Sequence, residues 1–104
     1  MNREELLEWV KRAIREVEPD AQIILYGSRA RNDSSEQSDW DFLILLDGLV
    51  DDERIDKIRH RLYEVEWQCD EVLCSMIRSR EEWNSPLYEN MPFHRNVEID
   101  GITL

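Results

Sequence analysis

Apolar residues recur every three or four positions from Leu6 to Val17 (Leu6, Leu7, Val10, Ile14, Val17), which predicts one amphipathic helix. Asn2 and Glu5 stand where a capping pair would open that helix, and Pro19-Asp20 close it. The period then shortens. Residues 21–27, AQIILYG, are a brief apolar run with paired isoleucines that ends in glycine, so they predict a buried strand. Residues 32–38, NDSSEQS, read as a polar loop. Residues 39–48, DWDFLILLDG, predict a second strand, apolar at every position from Phe42 to Leu46 and therefore buried on both faces. Asp51 or Asp52 caps a further helix that carries Ile55, Ile58, Leu62 and Val65 on one side and ends near Trp67. Residues 71–77, EVLCSMI, predict a third strand, and Ser79 to Glu82 have the S-x-x-E form that opens a short helix. Pro86 and Pro92 break the C-terminal stretch into short pieces, and the tail VEIDGITL reads as a hairpin turn at Asp100-Gly101 or a final extended piece. Strands interleaved with helices predict an α/β (α+β) fold, a small mixed sheet covered by helices.

Length narrows the picture: 104 residues make one domain, residues 1–104, too small for a catalytic domain with a separate substrate domain. No apolar stretch approaches the ~20 residues that span a bilayer, and the acidic, amphipathic start MNREELLEWV is neither a signal nor a transit sequence. A cytoplasmic protein without a membrane partner is expected. Thirteen basic against 24 acidic residues give a net charge of −11, which repels polyanions and disfavours direct nucleic-acid binding. Such a chain can still hold a nucleotide if a divalent cation stands between its carboxylates and the phosphates. Cys69 and Cys74 lie five apart, neither a CxxC pair nor a disulfide framework, and read as small, reduced, partly buried residues.

The chemistry concentrates between Gly27 and Asp41. On a strand, Asp39 and Asp41 face the same side ~6.6–7 Å apart, so both carboxylates can converge on a divalent ion while Trp40 points the other way. In a chain with 24 acids such a pair alone is commonplace. Gly27 permits positive φ and a close backbone approach, and a helical turn begun by Ser28 would aim N–H groups and a hydroxyl at an anion, with Arg29 and Arg31 beside it. That too, alone, is an ordinary strand-to-helix turn. Together they place a phosphate cradle and a cation-binding pair on neighbouring strands. His60 and His94 have no partner spacing and read as solvated or core-edge residues. Trp9, Trp40, Trp67 and Trp83 are scattered and read as packing.

Gly-Ser, ten residues, then Asp-x-Asp within GSRARNDSSEQSDWDFLILL resembles the signature of the DNA polymerase β nucleotidyltransferase superfamily, and within it the minimal nucleotidyltransferase (MNT) domains of prokaryotes. Where members often carry GSRARG this chain has Asn32, the non-glycine residue that best tolerates a left-handed turn. The resemblance implies the nucleotidyltransferase fold and transfer of AMP from ATP to a hydroxyl, with Mg²⁺ held by Asp39, Asp41 and a third acid. That acid would be Glu71, the better fit, or Asp70, and would also help deprotonate the acceptor; if both are instead solvated strand-end residues, catalysis would be slow or absent. Gly27, Ser28, Arg29, Asp39 and Asp41 would bind the nucleotide. The resemblance further implies a partner, the HEPN-domain RNase toxin of a toxin–antitoxin pair, whose tyrosine would accept AMP, with this chain as antitoxin within a homo- or hetero-oligomer. The alternatives are an antitoxin that neutralises by binding alone and a small-molecule transferase of the aminoglycoside-modifying type.

Overall fold

A computed structural model describes residues 2–32 and 38–104. The described chain runs α1 (Arg3–Val17), β1 (Gln22–Tyr26), α2 (Ser28–Arg31), β2 (Trp40–Leu46), α3 (Asp52–Cys69), β3 (Leu73–Ser79), α4 (Arg80–Trp83), α5 (Pro86–Glu89), α6 (Pro92–Asp100) and β4 (Ile102–Thr103). The α/β expectation therefore holds, with a four-stranded mixed sheet in the order β3-β2-β1-β4. β1 is antiparallel to β2 and to β4, and β2 is parallel to β3, with α3 as the crossover. The polar loop read at 32–38 lies mostly outside the described residues; its first member, Asn32, is the left-handed cap of α2 at φ 60°.

Strand alternation divides the core into two layers. Ile23, Leu25, Trp40, Phe42, Ile44, Leu46, Leu73 and Ile77 face Leu6, Val10, Ile14, Ile58, Leu62 and Val65 of α1 and α3. Ile24, Leu43 and Leu45 face the opposite way, toward Trp83 and Val97, with Tyr26, Met76, Tyr88 and Phe93 packed at their rim. Helices thus cover both sides of β2, the reason its apolar run is unbroken.

The helix starts are local. Asn2 accepts from the Glu5 amide, Asp51 from the Arg54 amide and Ser79 from the Glu82 amide. Arg54 then ties two helices together, its Nε and Nη2 each 2.8 Å from a Glu18 carboxylate oxygen at the end of α1. That hydrogen bond holds the Glu18 carboxyl below its ordinary range.

Three readings change. α3 runs on to Cys69, and Asp70 ends it in the left-handed conformation at φ 55°, which aspartate tolerates. Consequently β3 starts at Leu73, two residues later than read, and Asp70 and Glu71 fall before it. Asp100-Gly101 is no hairpin: Pro92 at the first turn opens α6, whose His94 and Val97 turn into the Trp83 layer, and Gly101 caps it before the extended piece β4. Trp40 and Trp83 pack as expected, but Trp67 is 92% exposed, so packing does not account for it.

Candidate active site

The site forms where β1 and β2 end together. Cross-strand register sets Tyr26 opposite Asp41, and Asp41 lies beside Cys74 on β3, so three side chains share one row on one face. Two residues along, the same face carries Ile24, Leu43 and Met76, the floor of the second core layer. Trp40 is buried in the other layer, as alternation requires.

Gly27 makes the approach close. Its φ of 75° and ψ of −159° lie in a region that side chains avoid, and a β-carbon there would stand 2.8 Å from Oδ2 of Asp41. From Gly27 the chain turns directly into α2, whose Ala30 and Arg31 amides close on the Gly27 carbonyl. The backbone of Gly27 and the Asp41 carboxylate therefore lie side by side.

Asp41 is partly buried, and its carboxyl is pushed above the ordinary range by that burial and by the nearby charge of Asp39. The Cys74 thiol is raised as well, first by burial and then by both aspartates. Its Sγ donates to Oδ2 of Asp39 at 3.7 Å. The Tyr26 phenol is raised by burial and by Asp41, while its ring meets Phe93 edge-on at 5.2 Å. Burial leads each of these shifts, and the neighbouring negative charge that adds to them would be relieved by a cation. Asp39 and Asp41 offer hard carboxylate donors of the kind a divalent ion such as Mg²⁺ takes, and would be the residues to hold one.

The third expected acid is placed differently. Oε2 of Glu71 lies 3.8 Å from Nη2 of Arg29, and among the described residues no three His, Cys, Asp or Glu side chains gather as a metal-binding group. Asp41 thus lies against Gly27, with Asp39 near enough to act on its carboxyl, whereas Glu71 joins Arg29 instead. The Arg29 side chain is 14% exposed; its Nε and Nη2 donate to the Ser38 carbonyl at 3.1 and 2.9 Å, and its guanidinium stacks 4.4 Å from the Trp40 ring centre. Asp70 caps α3. Sequence reading missed Tyr26 and Cys74, because only the register of β1, β2 and β3 aligns them with Asp41.

A carboxylate at the start of β2 is thus backed by the glycine that ends β1, at one end of a mixed α/β sheet and beside a serine-led turn. The family model for the nucleotidyltransferase domain matches residues 7–99, and the chain belongs to this family. Among curated proteins no match is found. No helix among the described residues is long and apolar enough to cross a membrane.

Proposed function

We propose that this nucleotidyltransferase moves AMP from ATP to a hydroxyl, that of a tyrosine on a cognate HEPN-domain RNase toxin, and so acts as its antitoxin. The observation that supports the reading is the closeness of the Gly27 backbone to the Asp41 carboxylate, where a β-carbon would stand 2.8 Å from Oδ2. The acceptor oxygen bonds to the α-phosphorus, the bond from that phosphorus to the pyrophosphate oxygen breaks, and pyrophosphate leaves. Mg²⁺ held by Asp39 and Asp41 would supply charge neutralisation on the phosphate oxygens. The Ser28 hydroxyl and backbone amide would orient the outer phosphates, and such positioning supplies most of the rate in this chemistry. Glu71 can take the acceptor proton only after parting from Arg29. On this reading the partner itself completes the acceptor side. A net charge of −11 suits a basic, RNA-cleaving partner.

One observation favours a second reading. The third carboxylate does not join the pair, so the chain could neutralise the toxin by binding alone. Incubation with ATP, Mg²⁺ and the HEPN-domain protein, followed by intact-mass measurement, separates the two. The transferase reading expects an AMP adduct on the toxin that disappears with Asp39→Asn plus Asp41→Asn. No adduct, with neutralisation unaffected by that double variant, would establish binding alone.

A further inference from the structure

Arg29 sits where the phosphate turn, the entry to β2 and the segment before β3 meet. Its guanidinium gives two hydrogen bonds to one oxygen, the Ser38 carbonyl, at 3.1 and 2.9 Å. Ser38 is joined by a single peptide link to Asp39. The same guanidinium lies on Trp40 and reaches Glu71, and Nη1 of Arg3 donates to the Arg29 carbonyl at 2.6 Å. Residues on both sides of Asp39 are thereby held by one planar cation.

The direction of these contacts matters. Trp40 is buried in the α1/α3 layer, opposite Asp41, and Arg29 lies with Trp40. A cation stacked there faces away from phosphates gathered at Asp41. We propose that Arg29 is a positioning residue that presents Asp39, and that it does not itself bind phosphate. The role of Asp39 rests on the nucleotidyl-transfer reading; the way Asp39 is held does not.

The two roles predict opposite signs for one measurement. Electrostatically, removing a cation near two carboxylates strengthens their binding of a divalent ion. Loss of positioning weakens it, and outer partners of metal ligands typically govern ~10–100-fold in affinity. Mn²⁺ alone, without nucleotide, is titrated by electron paramagnetic resonance into the wild-type chain and into Arg29→Gln and Arg29→Lys. Positioning predicts at least ~10-fold weaker Mn²⁺ binding in Arg29→Gln. Arg29→Lys should be weakened too, because an ammonium cannot give the paired bonds and the stacked plane together. Millimolar guanidinium should restore binding in Arg29→Ala. Equal or tighter Mn²⁺ binding in the folded variants would overturn the assignment. In the metal-free protein, the ¹³Cγ resonance of Asp39 should shift or broaden in Arg29→Lys, and an unchanged resonance overturns the proposal whatever the metal data. Absence of Mn²⁺ binding in the wild type would instead sink the transferase reading and leave the resonance to judge Arg29.

Discussion

Replacing Gly27 by alanine tests the contact on which the site is built, and its cost divides into two parts. The first is conformational: φ 75° with ψ −159° is a region essentially restricted to glycine, and a β-carbon there costs about 1–3 kcal/mol. For a domain of this size each kcal/mol lowers the melting temperature by about 4–8 °C, so a drop of about 5–20 °C is expected. The second part is steric. The new carbon would lie 2.8 Å from Oδ2 of Asp41, so the carboxylate must retreat by about 0.6 Å to reach the 3.4 Å of ordinary contact. A free carboxylate end moves at little energetic cost, so this part should be nearly silent in stability. It displaces a ligand, however, and misplacement approaching an ångström can cost ~100-fold in rate. Urea denaturation of Gly27→Ala in the wild-type and Asp41→Ala backgrounds separates the two, because the second background lacks the clashing oxygen. The same destabilisation should appear in both, with transfer in the single variant reduced ~10–100-fold. Wild-type stability with full transfer would refute the reasoning, and a stability loss that vanishes beside Asp41→Ala would show that the clash, not the backbone, carries the cost.

Glu18→Gln should cost about 1.5–3 kcal/mol near neutral pH, because the half-buried Arg54 pair loses its charge-assisted bonds. Since the folded carboxyl is lowered from 4.5, the stabilisation is whole above that pH and fades as pH falls through the folded value. Denaturation at a series of pH values should show wild type and variant converging in acid; a gap that persists at the lowest pH contradicts the assignment. Cys74→Asp sets a third carboxylate beside Asp41, so the metal-free melting temperature should fall by several degrees while the rise on adding Mg²⁺ becomes larger than in wild type. An unchanged Mg²⁺ response would show that position 74 does not face the bound ion. Phe42→Ala, at a fully buried position in the main layer, should remove about 3–5 kcal/mol, read from the urea midpoint.

The parts legible in the sequence are those encoded close together along the chain. Gly27 and Ser28 follow directly on β1, while Asp39 and Asp41 stand at the start of its neighbour β2, so short spacing along the chain sets them at the same end of the sheet. The β2 core was equally legible, because an unbroken apolar run has few other homes. Placement of Glu71 depended on where α3 stops, and that rests on Asp70 accepting a left-handed conformation that no periodicity announces. The Asp100-Gly101 pair has the composition of a hairpin turn, yet burial of His94 and Val97 against Trp83 makes the preceding residues helical. Tyr26 and Cys74 required the register of three strands, one of which arrives through an 18-residue crossover helix. Exposure of Trp67 comes from its position on α3 relative to Leu62 and Val65, which face inward.

The sheet's mixed connectivity also sets an order of events. β1 and β2 pair antiparallel between residues 22 and 45, a closure over a short stretch of chain. The parallel docking of β3 waits for α3 to form and fold back. Short closures are entropically cheap and fast, whereas parallel pairing across a crossover is slow. The ends of β1 and β2 that carry the serine turn and the aspartates are therefore expected to pair before β3 docks beside them.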